Sequence, residues 1–148
     1  MKRRIIPGVV REQAVAVVRP DASVQDAVEG MAENNVSALV VVNADGAVVG
    51  MVSERDMLIR VLAQGFDPRA TAVEDIMSER PETLRASDSC QDAIELMLGR
   101  GIRHLPVTDT DGKPIAMVSM RDLLLSARDE INAYMAAECE NAFAPETV

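Results

Sequence analysis

Two short phrases put ligand-holding groups at matched spacing, Ser53-Glu54-Arg55-Asp56 and Ser119-Met120-Arg121-Asp122, with the second 66 positions after the first. Each sets a hydroxyl, a guanidinium and a carboxylate within four residues, after one apolar run and before another. An ionised carboxylate only accepts hydrogen bonds, so it suits the paired hydroxyls of a ribose and repels a phosphate. A serine hydroxyl, an arginine and a helix N-terminus suit the phosphate. The set makes a coherent nucleotide cradle. The same spacing is also that of a capping box, in which serine and acid satisfy the orphan N–H groups at a helix start. Gly50 argues for more than a cap, because a glycine inside an apolar β run often marks the close approach of a ligand or another backbone.

Bond-breaking chemistry is poorly supplied. His104 is the single histidine, no Gly-rich phosphate loop ends in lysine, and no His/Cys/Asp cluster has metal-ligand spacing. The sequence therefore predicts no enzyme, no metal and no catalytic cofactor. Cys90 and Cys139 form no framework and read as reduced thiols, which points to the cytoplasm. A net charge of −9 repels polyanions, and only the Lys2-Arg3-Arg4 cluster opposes that field, so nucleic acid is excluded as a partner. Aromatic residues make up 2% of the chain, too few for base-stacking platforms. Pro7, Gly8, Arg11 and Glu12 break the N-terminal apolar stretch, and no run of about 18 apolar residues follows, so neither a leader nor a membrane span is expected.

The elements that position the two phrases are themselves repeated. Sliding the sequence by 66 aligns 17–61 with 83–127 without a gap, and 17 of the 45 pairs are identical. This is a tandem duplication. Each copy opens on a short β run, 14–18 or 82–85, followed by a helix announced by Ser23 with Asp26 or Ser89 with Asp92. Apolar residues then recur at helical spacing, Val24, Ala27, Val28 and Met31 in one copy, Cys90, Ala93, Ile94 and Met97 in the other. Cys90 thus reads as a small buried hydrophobe. Two apolar runs flank Asp45-Gly46 and Asp111-Gly112, a hairpin signal in which both turn residues tolerate positive φ. Their near-unbroken Val and Ile predict a sheet covered on both faces. A second helix starts at each Ser-x-x-Asp phrase.

The predicted fold is α+β, two β-α-β-β-α repeats related by a pseudo-twofold axis, because one unit of about 45 residues buries too little to stand alone. The boundaries read as 1–64 for the first repeat with its N-terminal segment, 65–81 for a linker, 82–128 for the second repeat and 129–148 for a helical tail.

The doubled order of strand, helix, hairpin and Gly-h-V-Ser-x-x-Asp, with the IRHLPV run at 102–107, resembles the cystathionine-β-synthase (CBS) domain pair, or Bateman module, over about residues 14–128. The resemblance implies a stand-alone regulatory module that holds an adenosine-containing ligand (AMP, ADP, ATP, S-adenosylmethionine or NAD) between the repeats. It further implies a homodimer assembled through helices and a regulated partner protein encoded elsewhere. Carried onto this chain, one site joins Gly50, Met51, Ser53, Arg55 and Asp56 to Thr83, Arg103, His104 and Pro106. Its pseudo-symmetric counterpart joins Met117, Ser119, Arg121 and Asp122 to Val17, Ser37, Ala38 and Val40. Met51 and Met117 are candidates to line adenine pockets. The second site has Ala116 in place of glycine and Ser37-Ala38 in place of Arg103-His104. Losing two charge-assisted contacts of roughly 1.5–3 kcal/mol each predicts that the Asp56 site binds better. With ligand-binding sites degenerate, the same fold would serve as a dimerisation scaffold.

Overall fold

The first helix of each repeat starts where serine and aspartate satisfy each other's neighbours. In the computed structural model, which describes residues 2–142, α1 spans Val24–Asn34 and α4 spans Cys90–Arg100. The Asp26 N–H donates to Ser23 Oγ at 3.0 Å and the Asp92 N–H to Ser89 Oγ at 3.1 Å, with the aspartates accepting from the serine N–H groups in return. The Ser89 backbone N–H and then its hydroxyl hold the Asp92 carboxyl below its usual range. Left-handed residues end both helices, Gly101 at φ 65° and Asn35 at φ 50°, the latter a residue type that tolerates this region. The inward faces are those the spacing predicts, Val24, Ala27 and Met31 matched by Cys90, Ala93 and Met97, while Val28 stays exposed. Both cysteines are free. Cys90 is buried, which pushes its thiol up, with the Glu130 charge adding to the effect.

Two hairpins follow the helices, β2 (Ala38–Val42) with β3 (Val48–Ser53) and β5 (His104–Thr108) with β6 (Pro114–Ser119). The whole of β2 is buried, in keeping with its unbroken valines. The turns differ from the predicted two-residue type, since only the glycines take positive φ, 80° at Gly46 and 77° at Gly112. The side chains of Asn43 and Asp109 organise longer connections, each Oδ1 accepting two backbone N–H groups. A register shift at Val41/Val42 and at Val107/Thr108 absorbs the extra residue. The opening strands are shorter than predicted. β1 is Val17–Val18, parallel to β2, and its counterpart is a single bridge between Leu84 and Val107.

Each repeat is completed by the segment that precedes the other. Ile5 is fully buried in the second core with Leu84, Met97 and Leu105, a burial that stabilises by roughly 1.5–3 kcal/mol. Its N–H donates to Asp88 O at 2.8 Å, and the Cys90 N–H donates to Arg3 O at 2.8 Å. In the same manner α3 (Val73–Ile76), which the sequence places between the repeats, sends Val73 and Ile76 into the first core. β4 (Ser78–Glu79) then pairs with β3, giving a sheet of order β1-β2-β3-β4 beside the β5-β6 hairpin. The N-terminal segment assigned by order to the first repeat therefore packs on the second, and part of the 65–81 connector packs on the first. The reason is that each helix-and-hairpin unit leaves an apolar slot that a neighbouring segment must fill.

After β3 the chain enters α2, Glu54–Asp56 continuing as a wider helical turn over Met57–Leu62. After β6 it enters α5, Met120–Ala142. Both helices expose apolar side chains, Leu58 and Leu62 on α2, Leu124, Ile131 and Met135 on α5. Among the described residues no helix is long and apolar enough to cross a membrane. The predicted tail beyond Ala142 lies outside the described residues.

Candidate functional site

Both Ser-x-x-Asp phrases are capping boxes. The Ser53 N–H donates to Asp56 Oδ2 at 2.8 Å, its hydroxyl to the same oxygen at 3.2 Å, and the Asp56 N–H returns to Ser53 Oγ at 3.4 Å. At the second phrase the corresponding distances are 2.8, 2.8 and 3.2 Å. Capping occupies one carboxylate oxygen and leaves the other. At Asp56 that second oxygen, Oδ1, lies 3.6 Å from Arg60 Nε, one helical turn on. Among the described residues no ion pair forms at Asp122.

A cavity of about 580 Å³ lies beside Asp122, within the range of small-ligand sites. One wall is the phrase itself, with Met117, Ser119, Arg121 and Asp122; facing it stand Asn34, Asn35, Val36, Ser37 and Ala38, at the turn from α1 into β2. Residues 10 and 13–16 supply a third wall, and His104 lies where the hairpins meet. Its Nε2 is 3.2 Å from Ser37 Oγ. Burial lowers the His104 pKa below its ordinary value; the Glu54 and Asp122 carboxylates oppose that shift, and Arg103 adds to it. A neutral imidazole on a serine hydroxyl can accept or donate as its tautomer requires. The arrangement offers a diol acceptor at Asp122, one guanidinium at Arg121, and a neutral polar pair, Ser37 with His104.

The cavity gathers six of the eight residues grouped with Asp122: Ser37, Ala38, Met117, Ser119, Arg121 and Asp122 itself. Val17 and Val40 are instead cross-strand partners, Val40 fully buried. His104, grouped by the sequence with Asp56, stands in the Asp122 cavity, because β5 pairs it with Ser119. Thr83, Arg55 and Arg103 are exposed. Pro106 is buried in β5, opposite Met117, and its carbonyl accepts from the Leu84 N–H at 2.9 Å. Met51 pairs with Val40 on one side and Ser78 on the other. Gly50 meets the second of its two expectations, the close approach of another backbone, since a Cβ there would sit 3.1 Å from the Ser78 carbonyl and 2.5 Å from Met77 Sδ. The cavity thus opens on the phrase for which the sequence predicts the weaker site. Sequence reasoning read 14–18 as an opening β run but did not place residues 10 and 13–16 in the site. It also missed Asn34-Asn35, whose signal is a polar pair wedged between an amphipathic helix and an apolar strand.

Two β-α-β-β-α repeats with a polar cleft beside duplicated Ser-x-x-Asp helix starts define a tandem-repeat α+β module. The chain belongs to the CBS domain family, whose model matches residues 4–63 and 73–129. An uncharacterised protein of Methanopyrus kandleri is 31% identical over 138 residues, 93% of this chain and 68% of that one. An uncharacterised conserved protein from Pyrococcus horikoshii has a crystal structure that superposes with a TM-score of 0.75 at 31% identity, covering 86% of this chain and 94% of its own. A CBS domain protein from Pyrobaculum aerophilum, solved in complex with AMP, superposes with a TM-score of 0.69 at 27% identity, covering 75% and 84%.

Proposed function

We propose that this chain is a regulatory module that binds an adenosine-containing nucleotide (AMP, ADP or ATP) in the cavity beside Asp122 and passes its occupancy to a partner protein. The observation that carries the reading is the cavity itself, where Asp122 keeps an oxygen for a ribose diol and Arg121 and Ser119 lie at a helix N-terminus suited to phosphate. The AMP held by the Pyrobaculum relative supports the ligand class. In this reading the chain is not an enzyme and works as a cytoplasmic homodimer, with the exposed leucines of α2 and α5 as the contact faces. A thermal-shift panel of AMP, ADP, ATP, NAD and S-adenosylmethionine tests it. A ligand at about 100 times its Kd stabilises by ~2.7 kcal/mol and raises Tm visibly. Saturating AMP, ADP or ATP is expected to do so. No shift with any of the five would leave the dimerisation scaffold as the function, and a shift confined to NAD or S-adenosylmethionine would reassign the ligand.

A further inference from the structure

One wall of the Asp122 cavity comes from outside the helix-and-hairpin unit of either repeat. Residues 3–16 form a strap that is anchored on the second repeat, runs along the cavity and joins the first. At its start Ile5 fills the second core, and the Ile5 and Ile6 N–H groups donate to Asp88 O and Ala86 O at 2.8 and 3.1 Å. Midway the Gln13 N–H donates to Ile115 O at 3.0 Å, and at its end Ala16 O accepts from the Val40 N–H at 3.2 Å. Arg3 ties the same strap to α5, with Nη1 donating to Ser126 Oγ at 3.3 Å and Nε 3.4 Å from Glu130 Oε1. The first turn of α5 carries Asp122.

We propose that seating of the strap and occupancy of the Asp122 cavity are one linked equilibrium, so that ligand locks residues 3–16 down and an unseated strap abolishes the site. This rests on the nucleotide-binding reading above. The physical basis is that a cavity missing its strap wall has lost Val10, Gln13 and Val15, leaving the ligand open to solvent on that side. A ligand that binds only the seated form suppresses strap opening by the factor 1 + [L]/Kd. The strap is then the segment through which occupancy becomes visible on the protein surface.

Amide hydrogen exchange of the full chain, with and without AMP, tests the linkage. With AMP at about 100 times its Kd, the amides of Ile5, Ile6, Val10 and Gln13 are expected to exchange up to about 100-fold more slowly. Slowing confined to the Ser119–Asp122 turn, with the strap amides unchanged, overturns the inference. As a second arm, Ile5→Ala is expected to weaken AMP binding about 10-fold or more, in proportion to the lost seated fraction. Protection of β5 and β6 shows that the second repeat, which carries Asp122, stays folded. Unchanged affinity in that variant also overturns the linkage. If wild-type protein binds no AMP at all, the nucleotide reading fails and takes this inference with it, an outcome distinct from binding without strap protection.

Discussion

The two Ser-x-x-Asp phrases share their capping geometry and differ in where the nearby cation is planted. In the first repeat Arg60 lies on α2, with Nε 3.6 Å from Asp56 Oδ1 and Nη1 donating to Ile76 O at 2.9 Å. It clasps the inserted α3 and sets a guanidinium against the phrase's own carboxylate. In the second repeat the matching position is Ser126, and the arginine comes from the opposite partner, the strap's Arg3 reaching to Ser126 and Glu130. Both clasps fasten an inserted segment to a helix. Only the first ties up its aspartate. A duplicated site can thus diverge through a neighbour one helical turn away while its motif stays intact.

The sharpest way to break this comparison is to neutralise each aspartate in turn. Asn at either position keeps a side-chain oxygen to accept the serine N–H, so the cap survives. Asp122→Asn removes charge-assisted contacts to the ribose diol worth roughly 1.5–3 kcal/mol, so AMP affinity measured by calorimetry is expected to fall about 10- to 100-fold. Asp56→Asn is expected to change it less than about 3-fold, the scale of an exposed ion-pair effect. The reverse ranking would restore the Asp56 phrase as the better site and refute the argument from Arg60.

Next in size is the pair Gly50 and Ala116, equivalent positions on β3 and β6. A methyl at Gly50 meets Met77 and the Ser78 carbonyl, the latter held by strand pairing, so Gly50→Ala is expected to cost about 1–3 kcal/mol. Ala116→Gly deletes a fully buried methyl and loosens the strand, together about 1–2 kcal/mol. Urea denaturation measures both. If Gly50→Ala left stability intact while abolishing AMP binding, the glycine would serve a ligand and the Asp56 cleft would be the working one.

Much of the fold was legible because its signals are local. Ser23 with Asp26 and Ser89 with Asp92 announce helices that start at the next residue, and the unbroken valines of β2 announce a strand buried on both faces. The duplication made every local reading count twice. The candidate site was legible as chemistry, in Ser119, Arg121 and Asp122 that line the cavity, but not as geometry. The sequence could not say which phrase keeps an oxygen free, because that depends on Arg60 lying a turn beyond one motif and Ser126 beyond the other. Nor could it assign Ile5 to the second core, since an isolated apolar run carries no periodicity that names its partner. The family resemblance groups His104 with Asp56, whereas its strand register sets it beside Ser119.

The smallest expected effect concerns that histidine. Burial lowers its pKa in the folded chain below the ordinary 6.5. Between the folded value and 6.5 the unfolded chain therefore holds a proton that the folded chain refuses, and stability rises with pH. The contribution is fully present above 6.5 and is lost as pH falls toward the folded value. Thermal melts of wild type and His104→Asn between about pH 5 and 7.5 are expected to diverge in that direction, with the variant flatter. The aspartates then sharpen the contrast between clefts. Asp122 is one of the carboxylates that hold the His104 pKa up against burial, so Asp122→Asn is expected to deepen the acid loss while Asp56→Asn leaves it nearly unchanged. Equal slopes in the two variants would mean that His104 senses neither aspartate in preference, leaving Glu54 of the first phrase as the carboxylate that opposes burial.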